Sequence, residues 1–142
     1  MEYDISRFYE AHQLFYDCAL DEIRTGRKRT HWMWFIFPQL RALARSTMAE
    51  RFGICDLGEA QAFLADHYLG GNLREISQAL LTLDTNDPLA VFPEPDGKKL
   101  QSCMTLFACA SGGEQVFLDV LQQYFDAQQD ERALQLLGQP RQ

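Results

Sequence analysis

The sequence predicts an all-α fold, a single domain of about seven or eight helices. Three observations predict it. Apolar residues recur at the helical period along most of the chain, no segment alternates cleanly in the manner of a strand, and no Asn-Gly hairpin dipeptide occurs. A chain of 142 residues with 46% apolar content also has the size and composition of one domain that buries its own core.

From Ile5 to Thr25, the residues Phe8, Ala11, Phe15, Cys18 and Ala19 form one stripe, with Glu10, Asp17, Asp21 and Arg24 opposite. Asp4 is the expected N-cap and Gly26 the expected residue past the C-terminus. The apolar run Trp32–Phe37, ended by Pro38, is too short for its period to decide. A helix is preferred because its neighbours are helical and a lone strand has no partner.

Asp56 with Glu59 reads as a capping box opening a helix to about Asp66, and Asn72 with Glu75 as a second box opening a helix through Leu83. Asp87-Pro88 is a cap followed by a first-turn proline, giving a short turn to Phe92. Asp96 starts a helix through Leu100, Cys103, Met104 and Phe107, closed by Gly112-Gly113. Glu114–Phe125 buries Phe117, Val120, Leu121 and Tyr124. Asp130 caps a last helix to Leu137, and residues 138–142 are expected to fray.

The run at 32–37 is far shorter than the roughly 20 residues of a membrane span. The N-terminus has no basic region followed by an apolar stretch, so a cytosolic protein is expected. Cys18, Cys55, Cys103 and Cys109 are scattered without a C-x-x-C pair. They are expected to be reduced, buried thiols, with neither metal nor cofactor implied.

Charge is segregated. Between Arg24 and Arg51 seven basic residues face one acid, Glu50, a local +6 inside a chain of net charge −7. The acidic remainder argues against nucleic acid, whose binding is driven by counterion release from a cationic surface. A small anion held locally fits better, although arginines paired with Asp17, Asp21 and Glu22 would account for the same composition.

The segment Gly26-Arg27-Lys28-Arg29-Thr30-His31-Trp32-Met33-Trp34-Phe35-Ile36-Phe37-Pro38-Gln39-Leu40 places both tryptophans and a histidine directly after a cationic turn. It resembles the signature of domain-of-unknown-function family 1810, bacterial and fungal proteins sometimes mislabelled calpastatin. The resemblance continues through Ser46–Ile54 and Tyr68-Leu69-Gly70 and resumes at Lys99–Phe107. Phe52 stands where a tyrosine is common, and Tyr68 where a proline is common, which is expected to loosen the loop before Leu69. The resemblance implies helices stacked in a compact, short solenoid-like array. It implies no reaction.

If residues 32–37 are helical, Trp32 and Trp34 point about 200° apart, so one belongs to the core and the other is free to act as a platform. His31 is either a helix-end donor or a ligand contact and general acid/base. Asp96 reads first as a cap, Lys98 and Lys99 as solvated, and Ser102 and Thr105 as hydroxyls bonded back to the preceding turn. Since the signature concentrates in two distant stretches, the two are expected to meet.

The leading expectation is a cleft for a small anionic ligand, phosphate-bearing and in the nature of a nucleotide or an ADP-ribose-like metabolite. It is lined by Lys28, Arg29, His31, Trp34, Gln39, Lys99, Ser102 and Thr105, with the cations holding charge and Trp34 stacking on a ring. The alternatives are an enzyme using His31 in the same cleft, and a helical protein-interaction module whose acidic faces and Gln122, Gln123, Gln128 and Gln129 meet a protein partner. The interaction module requires a largely exposed Trp32 or Trp34. Phosphate loops, dinucleotide-binding glycines, zinc-protease histidines and nucleophile elbows are all absent from the sequence.

Overall fold

The structure, a computed structural model, describes residues 3–138. Among them are nine α-helical segments: α1 (Ser6–Arg24), α2 (Met33–Ile36), α3 (Thr47–Arg51), α4 (Leu57–Ala65), α5 (His67–Leu81), α6 (Pro88–Val91), α7 (Asp96–Ala110), α8 (Gln115–Phe125) and α9 (Glu131–Leu137). A single 3₁₀ turn, Arg41–Leu43, precedes α3, and no strand occurs among the described residues. The segment beyond the sequence expectation is α3, whose five residues are too few to show a period.

Local bonds explain most of the boundaries. The side chains of Asp56, Asp66, Asp87 and Asp130 accept from backbone N–H groups of Glu59, Leu69, Leu89 and Ala133, satisfying donors that the first helical turn leaves free. The expected box at Asn72 and Glu75 is not a helix start. Asp66 has already opened α5, and both residues lie inside it. Tyr68 is likewise the second residue of α5 and not part of a loop, a first-turn position that also suits proline. Asp4 accepts from Ser6 N at 3.0 Å, but Ile5 occupies the cap position.

α4, α5, α8 and α7 pack in a ring, α1 lies against α5, and α9 closes onto α7. The array is short: sequence neighbours α4 with α5 and α7 with α8 pack as pairs, and the distant contacts α4 with α7 and α5 with α8 join the two pairs. A line of aromatic rings crosses it, Phe8–Phe63 at 5.0 Å, Phe63–Phe107 at 5.4 Å and Phe107–Phe117 at 6.1 Å. Each pair adds about 0.5–1.5 kcal/mol beyond area burial. Gly70 lets α5 start hard against α4, because a Cβ there would run into the Leu64 carbonyl.

Two features place the site. The chain after α2 is pinned by a parallel bridge between Leu40 and Ile54, with Ile54 N donating to Gln39 O at 2.9 Å and Arg41 N to Ile54 O at 2.8 Å. α9 is tied to α7 by Thr105, whose hydroxyl accepts from Asp130 N at 2.9 Å, and by Ser102, whose hydroxyl donates to Asp130 Oδ2 at 3.1 Å. None of the helices among the described residues is long and apolar enough to cross a membrane. The tail expectation concerns mainly residues 139–142, which lie outside the described residues; Gly138 ends α9 at φ 69°.

Candidate functional site

The cationic turn is organised from within by one carboxylate. Glu22, buried at the end of α1, accepts from Arg29 N (2.6 Å), Thr30 N (3.0 Å), Thr30 Oγ1 (2.6 Å), Trp32 Nε1 (2.9 Å) and the Cys18 thiol (3.1 Å). Burial alone would push its carboxyl up. The bonds from Thr30, Arg29 N, Cys18 and Trp32 outweigh this and hold it down at about 2. Glu22 is therefore spent on backbone, hydroxyl, thiol and ring donors and forms no ion pair with an arginine among the described residues. Trp32 is fully buried and Trp34 partly so at the edge of the core, although Trp32 precedes α2 and the expected helical angle between the two rings does not apply.

The two signature stretches meet. Lys28 Nζ lies 3.0 Å from Asp96 Oδ2, and Lys99 Nζ lies 3.6 Å from Asp96 Oδ1. Lys28 N donates to Val91 O at 2.8 Å, and its ammonium stands 5.1 Å from the Trp32 ring centre. Lys28 is 6% exposed, so its charge serves this internal pair. Asp96 is the first residue of α7 and the counterion of two lysines, not a cap.

Beside this junction opens a cleft of about 740 Å³ between the Gln39–Ala49 stretch, the first turns of α7 and the start of α9. Its walls carry Arg45, Lys98, Lys99 and Arg132, with Gln39, Ser46 and Ser102 between them. Among the described residues one carboxylate lines it, Asp130, whose Oδ2 accepts from Ser102 Oγ and from Ala133 N, each at 3.1 Å. None of the ion pairs among the described residues involves Arg45, Lys98 or Arg132, and all three are exposed. Gln39 and Lys99 form part of a second, narrow pocket that holds Trp34.

Of the eight residues expected in the cleft, Gln39, Lys99 and Ser102 line it, and Trp34 adjoins it across Gln39 and Lys99. Lys28 is sealed behind Asp96. Arg29 and His31 are exposed outside the cleft lining, the His31 ring 6.4 Å from Trp34. Thr105 is wholly buried, bonded back to Gln101 O at 2.8 Å and forward to Asp130 N. Arg45, Lys98 and Arg132 complete the cation set. Arg45 falls in the basic stretch and Lys98 was read beside Lys99 as solvated, whereas Arg132 carried no distinguishing signal and gains meaning from packing alone.

A second polar cluster joins α1 and α5. His12, 1% exposed, donates from Nε2 to Phe35 O at 2.9 Å while Nδ1 accepts from Asn72 Nδ2 at 3.0 Å. Burial lowers its imidazole to about 4, against the Phe35 carbonyl and Asp66, which raise it. Tyr16 donates to Glu75 at 2.6 Å and to Asn72 O at 3.1 Å, and Tyr9 donates to Asp66. The cysteines divide: Cys103 is buried and Cys109 partly so, but Cys18 and Cys55 are exposed, because the Cys18 face of α1 turns outward.

A family model described as protein of unknown function (DUF1810) matches residues 2–137. The structure is similar to the crystal structure of the conserved hypothetical protein Rv1873 from Mycobacterium tuberculosis. The TM-score is 0.93 and the identity 42%, over 96% of this chain and 98% of that one. No curated protein matches the chain.

Proposed function

The chain belongs to the DUF1810 family of proteins of unknown function, and from that premise we propose that it binds a small phosphate-bearing anion in the cleft between α7, α9 and the Arg45 loop. One observation carries the reading: four cationic side chains share one concave surface in a chain of net charge −7, and among the described residues only Lys99 of the four forms an ion pair with an acid. Like charges gathered without counterions repel one another, and an anionic ligand relieves that repulsion while accepting their hydrogen bonds.

The test is a thermal-shift screen against phosphate, sulfate, sugar phosphates, nucleotides, ADP-ribose and carboxylates, run beside Arg132→Ala. A ligand at 100 times its Kd adds about 2.7 kcal/mol, a shift of several degrees at this size. The shift should shrink in the variant. A flat panel, or a shift of equal size in Arg132→Ala, removes the reading.

Two observations weigh against the alternatives. No histidine lines the cleft among the described residues, so the enzyme reading lacks its acid/base group there. Trp32 is fully buried and Trp34 partly so, which leaves the interaction module without its exposed tryptophan.

A further inference from the structure

Resting on that reading and narrowing it, we propose that the ligand carries a chain of two or three phosphoryl groups, not a single one. The cations come from separate parts of the fold: Arg45 ahead of α3, Lys98 and Lys99 on the first turn of α7, and Arg132 on α9. Two guanidinium groups with five donors each and two ammonium groups with three each exceed what the oxygens of one phosphoryl group can accept. They also line about 740 Å³ of open space, so one small anion contacts a subset and leaves the others uncompensated. An extended chain of phosphoryl groups touches both walls at once.

The acid in the wall fits this division. Asp130 Oδ2 accepts from Ser102 Oγ and from Ala133 N, so this oxygen is already engaged within the wall. Ser102 and Thr105 thereby act as positioning residues, holding Asp130 and the start of α9 so that Arg132 shares the cleft with Lys98 and Lys99. Asp96 pairs with Lys99 at 3.6 Å and tethers that lysine at the cleft.

The experiment is calorimetric titration of the full chain with phosphate, pyrophosphate and tripolyphosphate at fixed salt, with ADP and ATP as parallel arms. Arg45→Ala, Lys98→Ala and Arg132→Ala replace exposed residues, so folding is expected to survive and is checked by helical circular dichroism. Arg24→Ala, an exposed arginine outside the cleft, is the control. Affinity should climb at each added phosphoryl group, and each cleft variant should weaken tripolyphosphate roughly tenfold while Arg24→Ala leaves it unchanged. Phosphate bound as tightly as tripolyphosphate overturns the chain-length inference and leaves the anion reading standing. A loss in Arg24→Ala equal to the cleft variants also overturns it, as diffuse attraction. ATP tighter than tripolyphosphate assigns the chain to a nucleotide with its ring toward Trp34, and equal or weaker ATP assigns it to the free phosphate chain.

Discussion

His12 sits where α1, α2 and α5 converge, its ring spanning the Phe35 carbonyl and the Asn72 amide. The unfolded chain takes up a proton there near 6.5, whereas the folded chain does so only near 4. Between those values the unfolded state holds more protons, so stability is intact above about 6.5 and is lost as pH falls toward 4, by up to roughly 3 kcal/mol. Urea midpoints measured at pH 7, 6, 5 and 4 should decline, and His12→Gln should flatten that decline. An unchanged slope in the variant would assign the acid sensitivity elsewhere. His12 was not singled out in the sequence, since a histidine at a helical position signals nothing until its two partners, 23 and 60 residues away, are in place. Trp32 and Trp34 were expected to divide by the helical angle, but Trp32 precedes α2 with φ −145°, and its place in the core is fixed instead by its bond to Glu22.

Among the elements, the irregular loop from Gly26 to Trp32 is tied to the end of α1, since four of its donors converge on the Glu22 carboxylate. Glu22→Gln keeps the shape but removes the charge and turns an amide donor toward other donors. The expected cost is about 3 kcal/mol or more, read as a drop of roughly 10 °C in Tm. A loss below about 1 kcal/mol would mean that water replaces the carboxylate. The sequence offered Glu22 only as an arginine partner, because loop closure onto a helix end is invisible to periodicity. The caps at Asp56, Asp87 and Asp130 were legible for the opposite reason: each is a bond across two or three residues. Asn72 and Glu75 copied that spacing without starting a helix, because Asp66 had already begun one.

At the scale of the whole molecule, the all-α class was open to inspection, while the cleft was legible only in part. Gln39, Lys99 and Ser102 lie inside signature stretches, but Lys98 and Arg132 are surface cations until α9 docks on α7. The basic stretch supplies Arg45 to the cleft, and its other charges go elsewhere, Lys28 into the Asp96 pair and Arg27 onto the Leu89 carbonyl at 2.7 Å. The same distribution has a kinetic consequence. An approaching anion meets the field of a body of charge −7 before it meets the four cations at the mouth. At 0.01 M salt that field reaches about 30 Å and slows encounter; at 0.1 M it reaches about 10 Å, and the nearby cations dominate. Stopped-flow association of tripolyphosphate should therefore hold steady or quicken between those two salt concentrations, although the equilibrium affinity falls. A steep slowing would show that the mouth governs the long-range field. Salt would then act here as a gatekeeper that admits anions, the reverse of its part in proteins that are basic throughout.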